Sequence, residues 1–287
     1  MLNRLNRRQF TALLVSGAPA GLEADAPSPS GAGRNLDLCI GDGFDAREAD
    51  IRAVLLSTGE ALWKHSPDTR WDVPGFFVFH SEDVPITVFD HRADGRIAIG
   101  VTTQGNHWSQ FAFQFAHEFC HALAGHSNDW KKLWIKGRKA NHWLEESMCE
   151  TASLFAMRAL GESWKTAPPF RNWKSYAESL TKYAADRMAQ AAATLSAGMA
   201  FKDWFRENEA SLREKATMRE KNNVVALQLL PLFEAQPSGW EAVTCMNLAK
   251  RDPEKTLATH FTDWSAVAPP AQRTFIGKLA AVFDAGG

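Results

Sequence analysis

His117, Glu118 and His121 stand in the run Gln114-Phe115-Ala116-His117-Glu118-Phe119-Cys120-His121-Ala122-Leu123. On an α-helix, positions i and i+4 lie on one face a turn apart, so the two imidazoles can grip a single ion together. The glutamate between them falls beside the coordination position that such a pair leaves open, where an activated water would need a base. This HExxH spacing is a candidate catalytic metal centre, with Zn2+ as the expected ion. Apart from Glu118, no acidic residue and no Lys or Arg occurs from Phe111 to Leu123. A helix buried around a metal requires this, because a stray charge there would have to be desolvated. A catalytic zinc takes three protein ligands and a water, so a third donor must come from elsewhere in the chain.

The next chemistry-bearing stretch is Asn141-His142-Trp143-Leu144-Glu145-Glu146-Ser147-Met148-Cys149-Glu150-Thr151-Ala152-Ser153, which itself opens a helical pattern. Together the two segments resemble the gluzincin metallopeptidases of the zincin superfamily, whose second helix supplies a glutamate ligand. Trp143-Leu144-Glu145-Glu146-Ser147 looks like the WLNEG segment of their aminopeptidase branch, which implies Glu146 as the third ligand. Glu150 matches the acidic residue that in thermolysin-like members hydrogen-bonds a ligating histidine. The physical need for such a partner is general, since a ligating imidazole is usually oriented through its other ring nitrogen. The resemblance runs from Trp108 to Ser153 and leaves most of the chain unmatched. Glu145 stands where the family has Asn, and a helical wheel puts it with Cys149, Ala152 and Ala156. The pattern of residues therefore leaves Glu145, Glu146 and Glu150 all open as ligands. His126, after Gly125, is a further competitor of the kind used by all-histidine zincins. Metzincins, however, place Gly and His three and six residues past the second motif histidine, whereas here they come four and five past it.

The expected activity is peptide-bond hydrolysis by a zinc-activated water, with Glu118 as general base and a peptide or protein as substrate. The alternative is a zincin fold that binds zinc or a partner without turnover. His142, His107, Asn106, Tyr176, Tyr183 and His260 are candidates to steady an oxyanion. No GAMEN-like exopeptidase anchor precedes the motif, which favours an endopeptidase.

These groups need elements to hold them. Ile51, Val54, Leu55, Leu62 and Trp63 recur at helical spacing from Asp45, a candidate N-cap, to about His65. Gly75 to His80, Pro85 to Phe89 and Arg96 to Thr103 read as extended, and Asp94-Gly95 is a hairpin signal between the last two. A small antiparallel sheet is expected, with Arg96 to Thr103 as a candidate edge strand for an extended substrate. From Trp108 onward the period is 3.6, over 108–124, 141–160, 173–196, 199–215, 222–235 and 271–284, with Pro231 and Pro269-Pro270 among the breaks. The class is α+β: residues 35–107 carry a helix and the small sheet, and 108–287 form a helical zinc-binding domain.

The remaining composition sets bounds. With 32 basic and 33 acidic residues among 287, the formal charge is −1, and no overall field recruits nucleic acid. No apolar run reaches the roughly 20 residues that span a bilayer, so no integral membrane segment is expected. Cys39, Cys120, Cys149 and Cys245 form no CxxC pair and read as buried structural thiols. Arg7-Arg8, Phe10, a short apolar stretch to Leu22 and Ala24-Asp25-Ala26 resemble a twin-arginine export signal, followed by a Pro/Ser/Gly-rich linker to residue 34. Export to the periplasm or beyond is the expectation.

Overall fold

The computed structural model describes residues 36–66, 75–88, 90–125, 141–195, 198–249, 252 and 254–285. The candidate signal and linker at 1–34, and His126, lie outside these residues. The chain folds as α+β. Strand β1 (Leu38–Ile40), helix α1 (Glu48–Trp63), β2 (Phe76–His80), β3 (Ile86–Val88) and β4 (Ile97–Val101) come first. Helices α2 (Trp108–Ala124), α3 (His142–Ser163), α4 (Tyr176–Thr194), α5 (Phe201–Glu214), α6 (Arg219–Ala235), α7 (Trp240–Val243), α8 (Leu257–Val267) and α9 (Pro270–Val282) follow. No described helix is long and apolar enough to cross a membrane.

The sheet is mixed, not antiparallel, with strand order β1-β2-β4-β3. β1 pairs parallel with β2, Leu38 opposite Phe76, and β2 pairs parallel with β4, Phe76 opposite Ile97. Only the expected hairpin is antiparallel, with Ile86 opposite Gly100. Two features hidden from periodicity produce this. The three-residue β1 is too short to show alternation, and α1 is the crossover that makes its partner parallel. β4 is buried at every position, as an interior strand covered on both faces should be, and the edge falls to β3 instead of to Arg96–Thr103. Gly100 permits the pairing, because a Cβ there would sit 2.8 Å from Phe79 Cζ and 3.0 Å from Ile86 Cγ2.

Helix boundaries differ from the pattern in three places. α1 begins at Glu48 with Arg47 as N-cap, while Asp45 sits in a left-handed turn at φ 51°. Pro231 does not break α6. It lies in the last turns, where the loss of one backbone hydrogen bond is offset by the burial of Leu229, Leu230 and Phe233. α8 was not evident from the apolar spacing, although Thr256 caps it by accepting from Thr259 N at 3.1 Å.

One hydrophobic cluster runs from Leu38 to Phe283. α2 packs against α1, β3 and β4 on one side and against α3 on the other, and α3 packs in turn on α4 and α6. Phe111, Phe115 and Phe119 anchor α2 in this cluster. The helix is also tied by hydrogen bonds to two neighbouring elements. Gln114 accepts from Thr102 N and donates to Thr102 Oγ1 at the end of β4, both at 2.9 Å, and Ser153 Oγ donates to Phe113 O at 2.9 Å. α2 is therefore a fixed central rod whose surroundings decide what its side chains can do.

Candidate metal centre

On α2 the positions that are not buried are Ser109, Gln110, Gln114 and His117. The last three are spaced i, i+4, i+7, a single stripe that continues to His121. On the first four turns of α3 only His142 and Glu146, again i and i+4, escape full burial. The two helices bring these openings together. His117 Nε2 lies 3.5 Å from Glu146 Oε2, and His121 Nε2 lies 3.6 Å from Glu146 Oε1. Ligands bonded tetrahedrally at about 2.0–2.1 Å stand about 3.4 Å apart, so each imidazole lies from a Glu146 oxygen at about the spacing that a shared ion would require. The imidazoles are edge to face, with centroids 5.1 Å apart.

The other ring nitrogens face carboxylates that the same helix supplies. His121 Nδ1 is 2.9 Å from Glu145 Oε1, and His117 Nδ1 is 3.6 Å from Glu150 Oε1. Glu145 Oε2 accepts from Asn247 Nδ2 at 3.0 Å, and the same amide donates to Ala124 O at 3.1 Å. Arg219 Nε also stands 3.0 Å from Glu150 Oε1, an ion pair. Glu145 thus turns toward the back of His121 while Glu146 turns toward the front of both rings. His142 Nε2 stands 3.3 Å from Glu146 Oε1.

Burial opposes ionisation at both His121 and Glu146, yet their neighbours outweigh it. For His121, burial lowers the pKa, but the charge of Glu146 and the hydrogen bond and charge of Glu145 push it up to about 10. For Glu146, burial raises the pKa, but His121, His117 and His142 hold it down at about 2. The group is built to keep a carboxylate ionised in a largely buried position.

A metal ion could also be held by His117, His121 and Cys149, whose donor atoms lie within 4.8 Å of one another. Burial, and then the contact with Cys120, push the Cys149 thiol well above its ordinary range. A ligating sulfur must be a thiolate, and the Glu146 carboxylate, with oxygens 3.5 and 3.6 Å from the rings, offers a further donor beside it. All four cysteines are free, and Cys120, Cys149 and Cys245 are buried as expected, with Cys39 partly so.

Glu118 is buried beside this group, where Thr87 Oγ1 of β3 is 2.9 Å from its Oε2 and 2.7 Å from its carbonyl oxygen. Of the oxyanion candidates, His142 reaches the group, through Glu146. Asn106 and His107 sit at the opposite end of α2, roughly 15 Å of helix from His117. Tyr183 accepts from Arg187 Nη2 at 3.0 Å and packs on Phe113, Tyr176 packs on Trp173, and His260 packs on Phe261 and Trp264. Thr87, Asn247 and Arg219 had no signal in the sequence, because each arrives from a distant segment and none belongs to a recognisable motif.

Comparison with protein families, with curated proteins and with solved structures finds no match. The likeness to gluzincins therefore rests on the motif residues alone.

Proposed function

We propose that this protein is a zinc-dependent peptide-bond hydrolase of gluzincin type, on a zincin-like fold. The observation that carries the reading is the convergence of His117 Nε2, His121 Nε2 and both Glu146 oxygens, at 3.5 and 3.6 Å, next to a buried glutamate. Two nitrogens and a carboxylate with one position left over form the donor set of a catalytic zinc. When bound there, zinc would supply Lewis acidity and bring the pKa of a water from 15.7 to roughly 7. Glu118 would take the proton of the attacking water and return it to the leaving amine. Glu145 and Glu150 would keep the two imidazoles turned toward the ion. The outer edge of β3, which pairs with no further strand among the described residues and exposes Ile86, would receive an extended peptide by strand addition.

A second reading is favoured by Cys149. If its thiolate joined both histidines and Glu146, four protein ligands would close the site and leave no place for a water. Glu118→Gln separates the readings. In a hydrolase the variant keeps its zinc and loses peptide cleavage by at least about a thousandfold. A wild type that cleaves nothing in a broad peptide library, or a variant as active as the wild type, would defeat the enzymatic reading. Zinc content of separate alanine variants at Glu145, Glu146, Cys149 and His126 identifies the third ligand, and loss at Glu146 is expected.

A further inference from the structure

Thr87 touches Glu118 twice and does so from another element. Its hydroxyl is buried on the edge strand β3, 2.9 Å from Glu118 Oε2 and 2.7 Å from the Glu118 carbonyl oxygen. The residues on either side, Ile86 and Val88, face away or lie half-buried, so the strand's alternation turns the one hydroxyl of β3 inward onto the one acidic residue of α2. A glutamate side chain has three torsions and would sample several positions in a cleft, whereas proton transfer needs its oxygen within hydrogen-bond reach of the water. Fixing Oε2 against the helix's own backbone leaves the carboxylate plane set and the other oxygen with a defined direction.

We infer that Thr87 is a positioning residue for Glu118, fixing the base from the outer strand of the sheet. The inference rests on the hydrolase reading and adds to it a connection between sheet and base. A threonine that served only to fill space would be replaced without loss by isosteric valine, and serine would be the poorer substitute. A hydroxyl that positions the base gives the opposite order.

Thr87→Val, Thr87→Ser and the wild type are compared with zinc loaded, on a peptide that the wild type cleaves. The expected result is a 10- to 100-fold fall in kcat for Thr87→Val with KM within about twofold, and recovery of most of kcat in Thr87→Ser. Zinc content stays unchanged in both variants. A readout independent of turnover is the thermal midpoint of Thr87→Val, Glu118→Ala and the double variant, whose shifts should fall short of additivity if the contact exists in solution. Equal kcat in Thr87→Val and wild type, failure of serine to restore activity, loss of zinc along with activity, or strictly additive thermal shifts would each overturn the inference while leaving the hydrolase reading in place. An inactive wild type overturns both.

Discussion

His117 and His121 are one turn apart on the same helix, yet the regions behind them are built differently. Behind His121, Glu145 is 2.9 Å from the ring and its second oxygen takes a hydrogen bond from the neutral amide of Asn247. Behind His117, Glu150 stands 3.6 Å from the ring and its Oε1 is shared with the guanidinium of Arg219 at 3.0 Å. A carboxylate whose charge is already answered by a cation attracts an imidazole less than one held by an amide dipole. The pair is therefore asymmetric, with His121 gripped and His117 more loosely backed. With an ion bound, such backing would let one imidazole hold it firmly while the other adjusts.

Given this asymmetry, Glu145→Gln should weaken zinc binding by about 10- to 100-fold, read by competition with a chromophoric chelator. The same measurement on Glu150→Gln should show a fall below about tenfold, because Arg219 already takes up much of that carboxylate's charge. Equal losses in the two variants would break the comparison. Asn247→Ala removes one donor from Glu145 and leaves the carboxylate in place, so zinc affinity should fall only a few-fold. The chain should lose about 1–2 kcal/mol of stability in chemical denaturation.

The smallest effect lies away from the site and serves as a reference for pH scans. Burial and then Lys64 lower the His65 pKa to about 4 from an ordinary 6.5, in a half-buried position where its ring meets Phe155 edge-on at 5.8 Å. Between these values the unfolded chain holds the proton and the folded one does not. The His65 contribution is therefore complete above pH 6.5 and is lost as pH falls toward 4. With the residue partly exposed the effect should stay at about 1 kcal/mol. His65→Gln should flatten that part of the stability–pH curve.

The facing of His117 and His121 was legible in the sequence because i, i+4 spacing on a helix is a rigid statement about direction. The acidic trio was legible as a group but not by role. Glu145, Glu146 and Glu150 differ in what they face, and that depends on how α3 is rotated against α2, which Ser153 and the apolar contacts set. Strand direction was illegible, since alternation is the same for parallel and antiparallel partners and the three residues of β1 show none. Thr87 precedes Glu118 by 31 residues and Asn247 follows Glu145 by 102, distances over which no local pattern can speak. Pro231 misled for a related reason, because a tertiary contact outweighed a local rule.

Three carboxylates within fewer than two turns of α3 also bear on the folding equilibrium. Each faces an imidazole or a guanidinium in the fold, and a divalent cation bound among them would add its binding free energy to folding. Occupancy would then raise the unfolding free energy by about 4 kcal/mol at a thousand times the dissociation constant. A melting curve taken across a series of divalent ions would rank the fold's preference among them before any substrate is known.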